Sequence, residues 1–348
     1  MARHSRILRH RLNKSSLYQR MGSYLILGFS FGENMERSTE LDLAFLSLAW
    51  GRNFDSVIKT HQRANIIVEL EERRGKEPVR LFLRLARPDG RTLDEIQFEI
   101  DTLKNLQVDP GVAIARPLPG KDGQYIRSFP WDGVDLHTCL FEEAPGRELE
   151  NTVSDLHLFG RALALLHSAK FAPSAQVKER RIDAVDLCHS TCILLPKHGT
   201  AATALATEIQ SVAPVLAKAL ASGSLREGFC HGDSWLQNAR LLEEVVTFFD
   251  FEECGFGPQT LDLALMVPWI KLAPNGDRLL AALEEGYTEQ RPLERDELLK
   301  FPALILLSEL RRVHSLARFN TMPETHWEAM RLRVTTQIEA FLDGNIVS

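Results

Sequence analysis

The chain has 348 residues, of which 44% are hydrophobic and 25% charged, and its formal net charge is −6. This balance is typical of a globular protein, and the length is sufficient for two lobes with substantial cores. No apolar run approaches the roughly 20 residues that span a bilayer, so the sequence predicts no membrane segment. The five cysteines are few and odd in number, which favours a reducing, cytoplasmic location over a disulfide-stabilised secreted protein.

Positive charge is concentrated in the first 20 residues, which hold six arginines and lysines and no acid. The remaining chain therefore carries about twice the net negative charge of the whole. This acidic body argues against nucleic acid as the main partner and is compatible with a cationic substrate. We expect residues 1–37 to form a poorly ordered extension, with Met21 or Met35 as alternative translation starts. A secretory signal is the other interpretation, but no clear small-residue cleavage site follows the apolar segment.

Residues 38–131 are expected to form a small lobe dominated by strands. A short helix comes first, because Leu43, Leu46 and Trp50 recur on one helical face. Three strand-like segments follow, and a second helix then begins at a capping box that starts with Thr92. Two further short strands complete this region. The segment from 128 to 136 has the character of a hinge, and almost everything beyond it has the apolar spacing of helices.

The most informative stretch lies between residues 228 and 264. It contains a His-Gly-Asp triplet at 231–233, then Asn238, then Asp250 at the end of an apolar strand-like run, and Asp262 twelve residues further on. Phosphoryl transfer from a magnesium nucleotide needs a carboxylate that orients the attacking hydroxyl. It also needs an amide oxygen and a second carboxylate for Mg²⁺, a hard ion that prefers oxygen ligands. Three acids and one amide in this order match those needs.

This stretch resembles the catalytic core of the aminoglycoside phosphotransferases and choline kinase-like phosphotransferases, a family built on the protein-kinase plan and close to homoserine kinase and stress-response kinase A. The resemblance implies an α+β, bilobal protein-kinase-like fold. Residues 38–131 would be the nucleotide-binding lobe, a small antiparallel sheet with one helix, and residues 132–348 a larger, mainly helical lobe. It also implies transfer of the γ-phosphate of ATP, with Mg²⁺, to a hydroxyl of a small molecule.

The resemblance further implies roles for individual residues of the catalytic stretch. Asp233 would be the catalytic residue, and Asn238 and Asp250 would bind the metal. His231 and Asp262 would support the loop without touching substrate. These five positions follow the family motif in order and spacing, so we expect them to meet in one site.

The nucleotide is expected to be held by the small lobe. Arg84 stands where the kinase pattern has a phosphate-contacting lysine, and Glu99 lies at the edge of the buried face of the second helix, where it can pair with Arg84. Backbone groups near Phe129 and Trp131 would face the adenine. The complete set of expected cofactor-binding residues is Arg84, Glu99, Asn65, Phe129 and Trp131.

Several departures from the family pattern leave alternatives open. The connection that should cover the phosphates has no glycine between Asn53 and Gly75, arginine replaces lysine at position 84, and Trp235 replaces a basic residue. These departures favour a catalytically inactive nucleotide-binding protein. Asp250 is followed by Phe-Glu-Glu, which argues against a flipping activation segment, although a Ser/Thr protein kinase like stress-response kinase A remains an alternative.

A small-molecule acceptor is nevertheless the preferred substrate, with no nucleic-acid or membrane partner and a monomeric or homodimeric protein. A cationic acceptor would need acids in the wall of its pocket. The candidate acids are Glu142, Glu143, Glu252, Glu253 and Glu309.

Overall fold

A computed structural model describes residues 41–62, 65–75, 77–88, 90–171, 179–221 and 225–346. The basic extension predicted for residues 1–37 lies outside the described residues. Within them the chain forms a sheet-rich lobe followed by a larger, mainly helical lobe. None of the helices in these ranges is long and apolar enough to cross a membrane.

The small lobe begins with α1 (Leu43–Trp50), which Asp42 caps by accepting the Phe45 N–H at 2.9 Å. Gly51 ends the helix in a left-handed conformation (φ 62°), which glycine adopts without steric cost. Three antiparallel strands follow: β1 (Phe54–Gln62), β2 (Ile66–Arg74) and β3 (Glu77–Ala86).

The helix α2 (Leu93–Asn105) lies beside this sheet, and both hydrogen bonds of its predicted capping box are present. Short strands complete the lobe: β4 (Leu106–Gln107), β5 (Val112–Ile114), β6 (Pro117–Leu118), β7 (Arg127–Trp131) and β8 (Val134–Glu142). The main sheet has the order β1-β2-β3-β8-β6, and β7 pairs with β8.

The segment predicted as an interlobe hinge is instead a β-hairpin. Asp132 and Gly133 form its turn with positive φ angles of 48° and 79°. The following strand β8 pairs with both β7 and β3, so the sheet continues to Glu142. The prediction that the chain is helical from about Asp132 is therefore wrong for this strand, and the boundary drawn at 131/132 falls inside the hairpin.

The larger lobe consists of helices around a short stretch of strands. Its elements are β9 (Arg147–Glu148), α3 (Val153–His167), β10 (Lys170–Phe171), α4 (Ala184–Leu194), a 3₁₀ turn (Leu195–His198), α5 (Thr200–Ala221), β11 (Glu227–Cys230), a second 3₁₀ turn (Leu236–Asn238), β12 (Ala239–Leu242), β13 (Val245–Phe248), β14 (Gly255–Pro258), α6 (Leu261–Ile270), α7 (Gly276–Gln290), α8 (Arg295–Leu299), α9 (Phe301–Phe319) and α10 (Glu324–Ile346).

Two buried clusters organise this lobe. One joins α3, α6 and α7 to the β12–β13 hairpin, where the rings of Phe159 and Phe248 meet edge to face at 5.3 Å. The other joins α4, α5, α9 and α10 around the buried Trp327. The first cluster supports the catalytic stretch, because the hairpin that carries it packs directly on α3.

Helices α3 and α7 approach each other closely through two glycines. A Cβ atom at Gly160 would lie 2.2 Å from the carbonyl oxygen of Leu283, and one at Gly286 would lie 1.9 Å from the carbonyl oxygen of His157. Such separations are far below van der Waals contact, and both neighbours are backbone atoms that cannot rotate away. The absence of a side chain at these two positions therefore sets the spacing of the two helices.

Gly160→Ala is expected to lower the free energy of unfolding by about 1–3 kcal/mol or more, because the new methyl group forces the helices apart. Gly344→Ala is the matched control in α10, since its Cβ would meet only the Pro302 side chain at 3.6 Å. Alanine is the better helix former, so the control should be neutral or slightly stabilising. Urea unfolding of both variants tests the point, and equal stabilities would contradict this account of the helix spacing.

Candidate active site

The catalytic stretch forms two adjacent connections at the base of the cleft between the lobes. Strand β11 pairs with β14, and β12 pairs with β13 so that Ala239 lies opposite Phe248. This register brings Asn238 beside the residues that follow β13, and the Phe249 N–H donates to the Asn238 carbonyl at 3.0 Å. Asp250 then adopts a left-handed backbone conformation (φ 63°), which aspartate tolerates better than most residues.

The loop 231–233 is held by the fully buried carboxylate of Asp262. Its Oδ2 accepts the backbone N–H of His231 at 2.7 Å, and its Oδ1 accepts that of Gly232 at 2.8 Å. Oδ2 also contacts Nε2 of His167 at 3.0 Å, and the other ring nitrogen of His167 contacts the Tyr287 hydroxyl at 2.9 Å. Burial alone would raise the pKa of Asp262, but the His167 contact and the loop donors lower it.

His231 packs inside the loop as a neutral ring. Its Nε2 lies 3.1 Å from the Phe249 carbonyl, and its Nδ1 accepts the Asp233 N–H at 3.3 Å. Burial lowers the pKa of the imidazole to about 4, despite the nearby Asp262 carboxylate. Because one ring nitrogen must donate and the other must accept, these contacts favour the tautomer with the proton on Nε2.

Asp233 and Asn238 are in direct contact. The Asn238 amide nitrogen donates to the Asp233 carboxylate at 2.8 Å and to its backbone carbonyl at 2.9 Å. Burial and the nearby Glu253 raise the pKa of Asp233 to about 6, while hydrogen bonds from Asn238 and Trp235 and the charge of Arg311 oppose that shift. Asp233 is therefore ionised at neutral pH but more basic than an ordinary aspartate.

The surroundings of Asp250 suit a cation. Its side chain is reachable from the cleft, but protein surrounds it closely, and the resulting loss of hydration raises its pKa. The neighbouring carboxylates of Glu252 and Asp233 raise it further. Asn238 directs its amide nitrogen at Asp233, which leaves its Oδ1 as a hard oxygen ligand. No group of three His, Cys, Asp or Glu side chains in the described ranges is arranged as a metal site.

Arg84 and Glu99 form the ion pair that was predicted for the small lobe. The guanidinium donates to both carboxylate oxygens, at 3.0 and 2.6 Å, and both side chains are buried. Arg84 lies on β3 opposite Cys139, and its guanidinium carbon is 4.9 Å from the centre of the Phe141 ring. Burial would lower the pKa of Arg84, but Glu99 and Glu252 raise it well above its usual value.

Known proteins are similar to this chain in sequence and in fold. The model of the phosphotransferase enzyme family matches residues 61–298, which is well over half of the chain. The chain belongs to this family. The protein is accordingly an enzyme of the phosphotransferase class, as its catalytic stretch predicts.

An uncharacterised protein of Deinococcus radiodurans is 33% identical over 243 residues, which cover 65% of this chain and 68% of the relative. A second one, from Synechocystis, is 27% identical over 219 residues, 61% of this chain and 60% of the relative. This chain therefore spans only about three fifths to two thirds of the relatives that it matches.

Solved structures confirm the bilobal, protein-kinase-like fold. A microcompartment-associated aminopropanol kinase superposes with a TM-score of 0.64 at 22% identity, over 83% of this chain and 92% of that one. An amicoumacin kinase superposes with a TM-score of 0.65 at 16% identity, over 85% and 92% of the two chains. At these low sequence identities, the structural similarity is evidence for the fold alone.

The family motif does not account for the two glutamates that follow Asp250. Glu252 lies 3.1 Å from Arg84 Nη1 and 3.5 Å from Arg91 Nε, and it also accepts a hydrogen bond from Asn65. Asn65 therefore reaches the catalytic stretch even though its connection lacks glycines. These contacts join the small lobe to the segment that follows Asp250 in the large one.

Glu253 is bound by three arginines. Arg91 and Arg180 lie 2.5 and 3.1 Å from its carboxylate, and Arg311 donates to its backbone carbonyl at 2.8 Å. Burial would raise the pKa of Glu253, but the three guanidinium groups lower it to about 2. The sequence singled out Glu252 and Glu253 only as candidate substrate acids. None of these three arginines belongs to a motif, so sequence reasoning missed them.

The structure places Phe129 and Trp131 on β7, within the small lobe. Both side chains are buried in the small-lobe core with Leu46 and Trp50 of α1, and Phe129 meets Phe45 edge to face at 5.5 Å. Their strand is paired along its length with β8. The sheet extends past both residues to Glu142, and their role towards the nucleotide base stays a prediction.

Asp262→Asn is expected to lower the free energy of unfolding by about 2 kcal/mol or more. The new amide NH₂ group would place a donor where a carboxylate oxygen of Asp262 now accepts a buried N–H. The pKa of Asp262 is lowered in the folded protein, so its ionised form stabilises the fold at neutral pH. The pKa of Asp233 is raised, so its ionised form does the opposite.

Asp233→Asn is therefore the matched control and should be no less stable than the wild type. Chemical denaturation at pH 7 compares the two variants. If both lost the same stability, Asp262 would not have the bracing role described here.

Proposed function

We propose that the protein is an ATP- and Mg²⁺-dependent O-phosphotransferase that transfers the γ-phosphate to a hydroxyl of a small molecule. The contact between Asp233 and Asn238, with Asp250 directly beside Asn238, carries this proposal. A general base, an amide oxygen and a second carboxylate then lie together near Arg84, the positively charged group that would contact the phosphates. This is the minimum set for phosphoryl transfer, in which the protein mainly positions groups and stabilises charge.

Asp233 would act on the acceptor. Its carboxylate accepts the hydrogen of the acceptor hydroxyl and directs the oxygen at the γ-phosphorus. A bond forms between that oxygen and phosphorus, the bond from phosphorus to the bridging oxygen of ADP breaks, and the proton passes to Asp233. A pKa of about 6 suits this role, because the group is ionised at neutral pH yet more basic than a free aspartate.

Asn238 and Asp250 would hold Mg²⁺ through Oδ1 and a carboxylate oxygen. When bound, the ion offsets the negative charge of the phosphates and of the crowded carboxylates around Asp250. Solved structures that are similar in fold carry AMP-PNP with Ca²⁺, or ADP with hygromycin B. They support a nucleotide and a divalent ion here.

Arg84 would contact the phosphates, with Glu99 holding its guanidinium in place and Asn65 near the same segment. The adenine would lie against the segment that follows β8, near residues 142–146. This segment begins next to Phe141, whose ring is a neighbour of Arg84. His231 and Asp262 would keep their supporting role. Cytoplasmic ATP and the five free cysteines are compatible with a reducing compartment.

A protein kinase with a mobile activation segment is the less favoured alternative. The residues after Asp250 are tied down by Arg84, Arg91, Arg180 and Arg311, and a clamped segment cannot flip. An inactive nucleotide-binding protein is favoured by Trp235, but the intact contact between Asp233 and Asn238 weighs against it.

Turnover and nucleotide binding should separate in two variants. Asp233→Asn is expected to cut turnover by roughly 10² or more, the scale of general-base catalysis, while Mg-ATP binding is retained. Asp250→Ala should abolish Mg²⁺-dependent nucleotide binding, because no other group in the motif supplies the second ligand. An acceptor is first found with a panel of amino alcohols, aminoglycosides, hydroxy acids and generic protein substrates.

Thermal shifts with and without Mg-ATP measure binding, since a ligand of the folded state raises apparent stability. Asp109→Asn removes an exposed carboxylate far from the motif and is the matched control for both variants. Normal turnover of Asp233→Asn would remove Asp233 from the mechanism, and an unchanged Mg-ATP shift in Asp250→Ala would end its assignment as a ligand.

Substitutions of Arg84 should show whether it binds phosphate. Arg84→Lys keeps the charge but not the two-pronged contact, so Mg-ATP affinity should change by a modest factor. Arg84→Ala should weaken it much more, because Glu99 then loses its guanidinium partner and Glu252 loses one of its two, and both carboxylates repel the phosphates. Calorimetry gives the three affinities, and circular dichroism confirms that each variant is folded. Equal affinities would mean that Arg84 serves only the fold.

A further inference from the structure

Beside Asp233 lies a group of aromatic and basic side chains that the proposed mechanism does not use. The Trp235 ring, two residues after Asp233, meets the Trp269 ring edge to face at 5.4 Å. The guanidinium carbons of Arg312 and Arg333 lie 4.6 and 4.3 Å from the centre of the Trp269 ring. We call these four residues the acceptor wall; both tryptophans and Arg312 are partly accessible.

The acceptor wall carries net positive charge. Arg333 is bound to the buried Glu309 through both oxygens, with its Nε at 2.7 Å, so that pair is neutral. Arg312 adds a second guanidinium that interacts electrostatically with Glu309 and with Asp233. Burial lowers the pKa of Arg312 to about 10, which leaves it charged at neutral pH. The cations Arg312 and Arg333 therefore face one acid, Glu309, when the catalytic carboxylate of Asp233 is not counted.

The other side of Asp233 is also basic. Arg311 lies against the catalytic loop, with Nη2 2.8 Å from the place of a Cβ on Gly232. It shares Glu253 with Arg180 and Arg91. Arg311 thus brings a guanidinium group next to the catalytic loop, while Arg91 also pairs with Glu252.

Four of the five acids considered for a cationic acceptor are engaged in ion pairs, and the fifth, Glu142, is exposed at the end of β8. Glu309 is paired with Arg333, Glu253 with three arginines, and Glu252 with Arg84. Glu143 lies 3.5 Å from Arg80 on the small-lobe sheet. Within the described residues, these four acids are neutralised in ion pairs. The side chains on the acceptor side of Asp233 are arginines and tryptophans.

We propose that the acceptor is a small anionic alcohol, that is, a hydroxy compound bearing a carboxylate or phosphate. Its charged group is held by Arg312, whose guanidinium lies over the face of Trp269. Its hydroxyl then points to Asp233. This inference rests on the proposed function. Planar guanidinium groups recognise both anions through paired hydrogen bonds. They also offset the repulsion between an anionic acceptor and the γ-phosphate, which a cationic acceptor would not need.

The test compares acceptors that differ in charge at similar size. Glycerate provides a carboxylate, glycerol 3-phosphate a phosphate, glycerol no charge and choline a cation. Phosphorylated product is measured by ³¹P NMR, with ADP release corrected for hydrolysis of ATP. We expect kcat/KM for at least one anion to exceed that of glycerol and choline by roughly tenfold or more. The two anions distinguish a carboxylate from a phosphate acceptor.

Variants of Arg312 assign the effect to the wall. Arg312→Gln should raise KM for the anion roughly tenfold or more with a smaller change in kcat, and Arg312→Lys should recover part of the loss. Arg331→Gln is the matched control: Arg331 lies on α10 like Arg333, but it pairs with Glu208 at 2.7 Å on the surface. The control should behave as the wild type.

A binding measurement separates this inference from the proposed function. Thermal shifts with each acceptor and Mg–AMP-PNP report binding without turnover. A higher kcat/KM for choline than for either anion, or an anion KM unchanged in Arg312→Gln, overturns the anionic acceptor while leaving the phosphotransferase intact. If no acceptor is phosphorylated but anions bind in an Arg312-dependent way, the anion site stands and the proposed reaction fails. If anions neither react nor bind, the inference is overturned.

Discussion

The position of the catalytic loop depends on one buried carboxylate, that of Asp262. An ionised carboxylate inside a protein is tolerated only where its oxygens accept several hydrogen bonds. Here the donors come from the loop at His231 and Gly232 and from His167 at the end of α3. Each partner is thereby fixed relative to the others. Asp233 follows directly in the chain, so its place at the cleft is a consequence of satisfying Asp262.

A second set of charges connects the lobes around Arg84. Glu252 reaches Arg84 and Asn65 in the small lobe, while Arg318 of α9 binds Glu95 of α2 at 2.6 and 2.7 Å. These pairs are buried or half-buried, where a charge without a partner is costly. A triphosphate at Arg84 would share that guanidinium with Glu252. Nucleotide binding and the ion pairs between the lobes would therefore involve the same few side chains.

Sequence reasoning succeeded where function depends on local spacing. The order of Asp233, Asn238 and Asp250 predicts a shared site because a short hairpin must return the chain to its start, and the register of β12 and β13 has that effect. The β7–β8 hairpin was missed although an Asp-Gly pair at 132–133, between strand-forming residues, is a strong hairpin signal. The sheet therefore ends eleven residues later than predicted.

The arginines around Glu253 could not be predicted in the same way. Arg91, Arg180 and Arg311 come from three distant segments and meet only at Glu253. Single-sequence reasoning has no spacing rule for such a cluster, since tertiary packing alone brings its members together.

Net charge and local charge also lead to opposite expectations for the acceptor. The chain is acidic overall, which attracts cations at long range, but salt screens such attraction beyond about 8–10 Å at physiological ionic strength. Within that distance the groups that touch the acceptor dominate, because desolvated contacts are screened far less. Trp269 lies under the guanidinium groups of Arg312 and Arg333 at 4.6 and 4.3 Å. In the proposed acceptor site, the guanidinium groups next to Trp269 come from α9 and α10, and their positive charge is opposite in sign to the net charge of the protein.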